Sequence, residues 1–202
     1  MSIKNIIFDL GGVLLDIDYQ KTIDAFQRLG FTDFDAHYTQ AKQDGVFDAF
    51  EEGKIDPDSF INSLKKQLPE HVTNKQITSA WNAMLLDWKQ NKIDFLISIQ
   101  KKYRLFLFSN TNHIHKVYFE ATLSQQLGMN RLDDLFEKAY YSHEFGHRKP
   151  HPQSFQILLD ENQLNAKETL FIDDSIQHVE GAKKTGMQGI HLINKTVLEL
   201  GL

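Results

Sequence analysis

Near its start the chain reads Ile3-Lys4-Asn5-Ile6-Ile7-Phe8-Asp9-Leu10-Gly11-Gly12, an apolar run that stops at two glycines. β-Branched and aromatic side chains favour a strand, and a nearly continuous apolar run is typical of a strand that is buried on both faces. The two glycines favour a tight loop directly after it. The run therefore predicts a buried strand with Asp9 at its carboxyl end.

Four similar runs follow much later and alternate with helical patterns. The predicted strands lie at residues 103–108, 138–141, 169–172 and 188–192. Helical patterns cover residues 93–101, 114–126, 152–162 and 177–186. Strands that alternate with helices in this way are typical of a parallel sheet covered by helices on both faces. We therefore expect an α/β protein.

The stretch from Asp16 to Trp88 differs, because it contains several helical patterns and no strand signal. Within it, Asp56-Pro57-Asp58 predicts a helix start, with Asp56 as the N-cap and Pro57 at the first helical position. A segment inserted after the first strand lies over the edge of the sheet at which open α/β proteins bind ligands. We therefore predict a core of residues 1–15 and 89–202, and a helical cap of residues 16–88 that can serve as a lid.

Composition argues against several kinds of function. The chain has 202 residues, a formal net charge of −5 and no Cys, so disulfides and thiolate metal sites are excluded. A mildly acidic protein has no electrostatic preference for nucleic acid or for an anionic membrane. The sequence shows neither a signal-peptide pattern nor a run of about 20 apolar residues. We expect a cytoplasmic monomer or dimer without nucleic-acid or membrane partners.

Polar residues follow four of the predicted strands. Asp9 follows the first strand, Ser109-Asn110 the second and Asp173-Asp174 the fourth, and Lys149 lies in the loop beyond the third. Each of these alone is more commonly a cap or turn residue, but the joint order is hard to obtain by chance. Because the carboxyl ends of parallel strands converge on one edge of a sheet, we expect these groups to meet there.

The carboxylates suit a hard divalent cation. Mg²⁺ prefers oxygen ligands, and the candidates are Asp9, Asp174 and the carbonyl of Gly11, with Asp173 beside them. A cation at this point offsets the repulsion between a carboxylate and a phosphate, so that Asp9 can act as a nucleophile. The pattern predicts a magnesium site at the edge of the sheet.

The other groups suit a phosphate. Ser109 and the backbone amides after it, at the start of a helix, can hold phosphate oxygens, with Asn110 next to them. Lys149 adds a fixed positive charge where charge develops on a transferring phosphoryl group. Together with the carboxylates, these residues predict phosphoryl transfer on a small phosphorylated metabolite.

Four segments together resemble the motifs of the haloacid dehalogenase (HAD) superfamily, in its branch of helical-cap phosphatases. They are Phe8-Asp9-Leu10-Gly11-Gly12-Val13-Leu14, Ser109-Asn110, Arg148-Lys149-Pro150 and Phe171-Ile172-Asp173-Asp174, and Val179-Glu180-Gly181-Ala182 is also typical. The resemblance covers essentially the whole chain. It implies a three-layer Rossmann-like core with a mobile cap, Asp9 as the nucleophile that becomes phosphorylated, and Mg²⁺ as cofactor. The chain resembles in particular the bacterial glucose-1-phosphate phosphatases, which implies a sugar phosphate such as glucose 1-phosphate as substrate.

One position departs from the family pattern. The usual motif has a second Asp two residues after the nucleophile as general acid and base, and this chain has Gly11 there. General acid–base catalysis is typically worth roughly 10²–10⁴-fold in rate. Gly11 therefore predicts a slower enzyme, a substrate with an easy leaving group such as an anomeric phosphate, or a substitute proton donor. The candidate donors are Asp16, Asp18, Glu51 and His113, and the sequence does not choose among them.

Two further residues are candidate substrate contacts. His113 follows Ser109 closely, and Trp81 lies in the predicted cap, where an aromatic ring can cover a sugar. Exposure to solvent is the alternative for His113. Aromatic residues at helical spacing more often belong to a core, which is the alternative for Trp81.

The segment His143-Glu144-Phe145-Gly146-His147 matches the H-E-x-x-H pattern of zinc peptidases. That chemistry requires both histidines on one face of a continuous helix. Gly146 and the approach to Pro150 disfavour such a helix, so we interpret the match as part of a loop.

Three rival functions remain at this point. A phosphosugar mutase would share the fold and the nucleophile, but it must move protons on sugar hydroxyls, against which Gly11 argues. A dehalogenase would need no metal. A weakly active or non-catalytic phosphometabolite-binding protein would explain Gly11, but it would not explain why four motif residues are all present, namely Asp9, Ser109, Lys149 and Asp174.

Overall fold

The computed structural model describes residues 2–38 and 45–202. Five parallel strands form one sheet in the order β3-β2-β1-β4-β5. They are β1 (Asn5–Phe8), β2 (Arg104–Ser109), β3 (Lys138–Tyr141), β4 (Thr169–Asp173) and β5 (Gln188–His191). The predicted strands and the α/β fold class are confirmed.

Helices connect and cover these strands. Before β2 they are α1 (Tyr19–Leu29), α2 (Phe34–His37), α3 (Gly45–Glu51), α4 (Pro57–Lys65), α5 (Asn74–Asn82) and α6 (Gln90–Ile99). After β2 they are α7 (His113–Leu127), α8 (Ser142–Phe145), α9 (Pro152–Glu161) and α10 (Ile176–Lys183). Short 3₁₀ turns cover Leu132–Leu135, Ala166–Glu168 and Val197–Glu199. In the part of the chain that the structure describes, no helix is long and apolar enough to cross a membrane.

The sheet is covered on both faces, which makes the core a three-layer structure. Successive side chains of a strand point to opposite faces. Ile6 and Phe8 of β1 accordingly belong to an apolar cluster that includes residues of α6 and α7. Ile7, between them, belongs to a second cluster with residues of α9 and α10. All three side chains are fully buried, which explains why β1 is apolar without alternation.

The helices α1 to α5 enclose a third apolar cluster, which is rich in aromatic rings. The rings of Phe26 and Phe34 stack with their centroids 4.2 Å apart, and those of Phe50 and Phe60 stack at the same distance. The predicted N-cap is confirmed, because the Asp56 side chain accepts a hydrogen bond from the Ser59 amide. A separate apolar core is consistent with a cap.

The chain passes between the two parts at a short pair of antiparallel segments. Ile17 forms a β-bridge with Leu85, the Asp18 amide donates to the Met84 carbonyl at 2.9 Å, and the Leu86 amide donates to the Asp16 carbonyl at 3.0 Å. Trp88 already packs in the cluster around the sheet. The predicted core of residues 1–15 and 89–202 and the predicted cap of residues 16–88 stay a prediction, but these contacts lie where its boundary falls.

Candidate active site

The register of the sheet brings the ends of β1 and β4 together. Phe8, the last residue of β1, pairs with Leu107 of β2 on one side and with Ile172 of β4 on the other. Asp9 and Asp173 follow these paired positions. The strand order reverses between β1 and β4, and open α/β sheets bind their ligands at such a point.

Lys149 joins two of the carboxylates. Its Nζ atom lies 2.6 Å from Oδ1 of Asp9 and 2.7 Å from Oδ2 of Asp173. The Lys149 residue is 1% exposed, and Asp173 is fully buried. Burial by itself would lower the pKa of Lys149, but the carboxylates of Asp173 and Asp9 raise it above its usual value. The lysine is therefore a fixed cation beside Asp9.

The loop that carries Lys149 is held by Asn110 and by a close helix contact. The Asn110 side chain donates to the Lys149 carbonyl at 2.9 Å and accepts from the Lys149 amide at 3.0 Å. The Lys149–Pro150 peptide is cis. A Cβ atom on Gly181 of α10 would lie only 2.2 Å from the Pro150 carbonyl oxygen, so a larger residue there would displace the loop. This contact gives a physical role to Gly181, which the family resemblance had singled out.

Asp9, Asp173 and Asp174 form a cluster of oxygen ligands. One carboxylate oxygen from each lies within 4.8 Å of the others. Burial raises the pKa of Asp9 well above its usual value, and the Asp173 and Asp174 carboxylates add to this more than the nearby Lys149 opposes it. An uncompensated negative charge of this kind fits a hard divalent cation, which takes oxygen ligands. No described backbone amide donates to the carbonyl of Gly11, a residue that lines the cavity beside the cluster.

Gly12 makes room for Asp174. Its φ angle is +73°, a left-handed conformation that favours glycine, and a Cβ atom there would lie 2.3 Å from Oδ2 of Asp174. The Asp174 carboxylate therefore packs directly on the backbone of the loop after β1. Gly12 is therefore required both by the left-handed conformation of the turn and by the close approach of the Asp174 carboxylate.

Asp173, which the sequence suggests as an additional metal ligand, is already engaged by protein groups. Its carboxylate accepts hydrogen bonds from Lys149 and from the Ser175 amide at 2.7 Å, and it lies 3.0 Å from Nδ1 of His178. Burial would raise the pKa of Asp173, but Lys149 and His178 lower it to about 2. These contacts favour Asp173 as the residue that positions Lys149, with Asp9 and Asp174 as the cation ligands.

The cluster opens into a cavity of about 70 Å³ between the sheet and the predicted cap. The core side is lined by Asp9, Gly11, Asn110, Arg148, Lys149, Asp174 and His178, and the side of the predicted cap by Ile17, Tyr19 and Glu51. One water needs roughly 10–15 Å³ of such space, and a complete drug-sized site about 300–1,000 Å³. The cavity therefore accommodates a phosphoryl group and a few further atoms, but not a large molecule.

Arg148 connects the core side of the cavity to α3. Its guanidinium donates to the carboxylates of Asp48 and Glu51, both on α3. Arg148 directly precedes Lys149 in the chain, and Glu51 lies at the cavity. The loop that provides a cation to Asp9 thus also anchors α3 over the site.

The structure distinguishes among the four candidate proton donors. Asp16 pairs with Lys92 at 2.7 Å, Asp18 caps α1 by accepting from the Gln20 amide, and His113 is exposed at the start of α7. Of the four, Glu51 alone lines the cavity. The position where the family has its second Asp is crowded by Ile17, whose Cδ1 would lie 3.1 Å from a Cβ on Gly11.

Three predicted substrate contacts do not reach the cavity in this conformation. Trp81 is 1% exposed, because its indole stacks on His115 with centroids 4.7 Å apart and donates to the Asn112 side chain at 3.3 Å. His113 is exposed to solvent, with its ring 6.3 Å from that of His143. Ser109 is 3% exposed at the end of β2 and does not line the cavity, whereas its neighbour Asn110 does. The structure shows Trp81 as a core residue, which was the alternative interpretation.

Three residues that were not predicted from the sequence line the cavity, namely His178, Tyr19 and Ile17. His178 lies in the first turn of α10, which begins shortly after Asp173, the last residue of β4, and Asp174. This position is the signal that would have identified it. Burial and the nearby Lys149 lower the pKa of His178, which favours the neutral ring. Tyr19 and Ile17 lie over the site because the chain enters the predicted cap there. No local sequence pattern predicts this position for either residue.

The H-E-x-x-H match begins on the single helical turn of α8 and extends beyond it. The helix α8 ends at Phe145, and Gly146 has a left-handed φ of +72°, so His147 is outside the helix that carries His143. Within the described ranges, Asp9, Asp173 and Asp174 form the one group of three or more side chains placed to hold a metal ion.

The chain is similar to known proteins over most of its length. Residues 6–192 match the family described as haloacid dehalogenase-like hydrolase. The chain is 33% identical over 186 residues to a D-ribitol-5-phosphate phosphatase of Bacteroides thetaiotaomicron, and the match covers 92% of this chain and 90% of that protein.

Two solved structures share the fold over nearly the full length. A HAD family enzyme of Bacteroides thetaiotaomicron, in complex with magnesium and inorganic phosphate, superposes with a TM-score of 0.89 at 33% identity and 95% coverage of both chains. A HAD-like family hydrolase of Porphyromonas gingivalis superposes with a TM-score of 0.86 at 30% identity, covering 98% of this chain and 95% of the other.

Proposed function

Because the chain belongs to the haloacid dehalogenase-like hydrolase family, we propose that it hydrolyses a small sugar or polyol phosphate through a phosphorylated Asp9. The family relationship makes the chain a magnesium-dependent phosphatase with a Rossmann-like core. The substrate and the residue roles are our proposal. The observation that carries it is the position of Lys149 Nζ, 2.6 Å from Asp9, at the edge of the sheet where Asp174 also lies.

The chemistry proceeds in two displacements at phosphorus. In the first, a carboxylate oxygen of Asp9 attacks phosphorus, the bond from phosphorus to the ester oxygen breaks, and the alcohol leaves after gaining a proton. In the second, water attacks the phosphorylated Asp9, which regenerates the carboxylate and releases inorganic phosphate. When bound, Mg²⁺ supplies positive charge that offsets the repulsion between carboxylate and phosphate, and Asp9, Asp174 and the Gly11 carbonyl would hold it.

The remaining residues hold the catalytic groups in position and stabilise charge on the phosphoryl group. Lys149 is already protonated and held by Asp173, so it can stabilise charge on the phosphoryl oxygens without rearrangement. Asn110 keeps the loop of Lys149 in place through its two backbone hydrogen bonds. The walls that α3 and the start of α1 place over the cavity narrow the access of bulk water, while the second displacement still uses one water molecule.

Two considerations support a small neutral alcohol as the leaving group. The cavity of about 70 Å³ is too small for a macromolecule in this conformation. The Bacteroides thetaiotaomicron relative is a D-ribitol-5-phosphate phosphatase, so ribitol 5-phosphate joins glucose 1-phosphate as a candidate substrate. The two differ in leaving group, since the anomeric oxygen of glucose 1-phosphate leaves more easily than the primary alcohol oxygen of ribitol.

A panel of phosphorylated metabolites with Mg²⁺, scored by release of inorganic phosphate, tests the proposal. We expect hydrolysis of glucose 1-phosphate, ribitol 5-phosphate or both, loss of activity with EDTA, and recovery on addition of Mg²⁺. Asp9→Asn should remove the activity. Unchanged hydrolysis by Asp9→Asn would refute the role of Asp9.

The same panel separates the rivals. A phosphosugar mutase would convert a sugar 1-phosphate into an isomer, which phosphorus NMR detects, without release of phosphate. A non-catalytic binding protein would bind phosphate esters and release nothing. A cytoplasmic location and a monomeric or dimeric state stay predictions.

A further inference from the structure

Tyr19 lines the cavity from the side of the predicted cap, and the chemistry described above does not use it. It is the first residue of α1, and the β-bridge between Ile17 and Leu85 lies just before this start of the helix. The half-buried ring of Tyr19 packs against the aromatic cluster of α1 to α5, with its centroid 6.1 Å from that of the Tyr38 ring. The wall of the cavity therefore contains a phenol whose ring is held by packing.

The hydroxyl group of Tyr19 is a hydrogen-bond donor without a protein acceptor in the described ranges. Burial raises the pKa of the Tyr19 phenol well above its usual value, and the carboxylates at the cavity, first that of Glu51, raise it further. The phenol therefore keeps its proton, and its oxygen lies within the electrostatic reach of the groups that line the cavity. A buried donor of this kind gains free energy when a ligand supplies the acceptor.

The other side-chain donors that line the cavity already contact protein acceptors. Asn110 donates to a backbone carbonyl, and Arg148 donates to two carboxylates of α3. The ammonium of Lys149 contacts two aspartates, and Nδ1 of His178 lies 3.0 Å from one of them. Among the described lining residues, the hydroxyl group of Tyr19 is therefore the side-chain donor that makes no such contact.

The dimensions of the cavity limit which substrate atoms Tyr19 can reach. Lys149 and the aspartate cluster, which serve the phosphoryl group, lie on the core side, whereas Tyr19 lies on the side of the predicted cap. Because the cavity of about 70 Å³ accommodates a phosphoryl group and a few further atoms, the atoms of the alcohol within reach are those closest to the ester. In a sugar or polyol phosphate, they include the hydroxyl group on the carbon next to the phosphorylated carbon.

We propose that Tyr19 selects for hydroxylated alcohols by donating a hydrogen bond to the substrate hydroxyl group on the carbon next to the phosphorylated carbon. Simple alkyl phosphates, which lack this hydroxyl group, leave the phenol without an acceptor and are the disfavoured class. This inference rests on the proposed function, since it assigns the alcohol side of the same site. A site that hydrogen-bonds a substrate hydroxyl group discriminates against the analogue without it, because its own polar group is then left unpaired.

A matched pair of phosphonates tests this selection in the unmodified protein with Mg²⁺, because the chemistry proposed above does not break a carbon–phosphorus bond. One is the phosphonate analogue of glycerol 3-phosphate, in which a methylene group replaces the ester oxygen. The other is butylphosphonate, which has the same chain length and no hydroxyl group. Calorimetry should show that Tyr19→Phe weakens binding of the hydroxylated phosphonate by roughly fivefold to tenfold and changes that of butylphosphonate by less than about twofold.

Tyr38→Phe is the matched control. It removes the same hydroxyl group from the neighbouring ring, which does not line the cavity, so both affinities should stay within about twofold of the unmodified values. The inference is overturned if Tyr19→Phe weakens both phosphonates equally, if it weakens neither, or if Tyr38→Phe has the same effect. Equal affinities for the two phosphonates in the unmodified protein would also overturn it. Because the readout is binding, these outcomes are distinct from failure of the hydrolysis assay, which would refute the proposed function.

Discussion

The ammonium of Lys149 lies 2.6 Å from the carboxylate of Asp9, and both side chains are buried at the end of the sheet. The same ammonium contacts Asp173 at 2.7 Å. Nucleophile and cation are therefore held in place before any substrate arrives, which lowers the reorganisation needed at the moment of reaction. The arrangement also makes the site important for the stability of the fold.

Replacing this lysine should damage stability as well as activity. Lys149→Met leaves Asp9 and Asp173 buried without their cation, which we expect to lower the free energy of unfolding by about 3–5 kcal/mol. Urea denaturation measures the effect. The double variant Lys149→Met/Asp173→Asn should regain part of the stability and none of the activity. A single variant as stable as the unmodified protein would show that the ion pair is not the stabilising element.

Asp9→Asn separates catalysis from folding. We expect hydrolysis to fall by roughly 10³-fold or more, because the amide cannot form the phosphorylated intermediate. Since burial raises the pKa of the Asp9 carboxyl well above its usual value, the neutral amide should also stabilise the metal-free fold near neutral pH. Asp134→Asn, at an exposed site in a 3₁₀ turn, is the control and should change neither property. A thermal melt with and without Mg²⁺ completes the comparison.

Gly12→Ala should impair magnesium binding specifically. The added Cβ would lie 2.3 Å from Oδ2 of Asp174, which must then move away from Asp9. Gly146→Ala provides the control, because its φ of +72° matches the +73° of Gly12 while no heavy atom lies within 4 Å of the point that a Cβ on Gly146 would occupy. Both variants should lose about 1 kcal/mol of stability from the left-handed backbone, but only Gly12→Ala should need at least about tenfold more Mg²⁺ for activity. Equal magnesium requirements would contradict the role given to Gly12.

Gly11→Asp tests the missing acid and base. Gly11 does not have a positive φ, and the nearest atom to a Cβ there is the flexible end of Ile17 at 3.1 Å, so a small shift accommodates the change. Toward ribitol 5-phosphate, whose alcohol needs a proton to leave, we expect a rate gain of roughly 10-fold or more. Toward p-nitrophenyl phosphate, whose leaving group is stable as an anion, the gain should be small. No gain on either ester would mean that another group already supplies the proton, and Glu51, alone among the four candidates at the cavity, would be tested next.

Acid should destabilise the protein through His115. Burial lowers the pKa of His115 to about 4, below the value of about 6.5 in an unfolded chain. Its contribution to stability is therefore complete above pH 6.5 or so and is lost as the pH falls toward 4, because the unfolded chain binds the proton more tightly. Between about pH 7 and about pH 4.5, we expect the free energy of unfolding to fall by about 2 kcal/mol less in His115→Gln than in the unmodified protein. Parallel pH dependences in the two proteins would contradict this assignment.

His115 also shows why some aromatic residues were hard to assign from sequence. Its ring stacks on Trp81, and its Nε2 atom lies 3.1 Å from the Trp81 carbonyl, so the histidine joins α7 to the helix α5 of the predicted cap. Helical spacing is the same for an aromatic residue that covers a ligand and for one that joins two helices. The sequence alone could not tell these apart for Trp81.

The motif residues, in contrast to Trp81, could be assigned from the sequence. Asp9, Lys149, Asp173 and Asp174 were predicted to meet, and they do. Each lies at or beyond the carboxyl end of a strand whose apolar run is visible in the sequence, and parallel strands end at one edge. The sequence did not show which of these residues would hold the magnesium ion. The contacts of Asp173 with Lys149, Ser175 and His178 favour it as a positioning residue, and they depend on how β4, the loop after β3 and α10 pack together.

Local chemistry along the chain was enough to establish the α/β fold, the strands and the set of groups at the sheet edge, since periodicity and turn residues are properties of neighbouring positions. On the side of the predicted cap, the sequence named Glu51 as one of four candidate donors, but only the tertiary structure places it at the cavity together with Tyr19 and Ile17. Its geometry depends on contacts such as that of Arg148 with Glu51, which are 97 residues apart in sequence, and a pairing over that distance leaves no periodic signal.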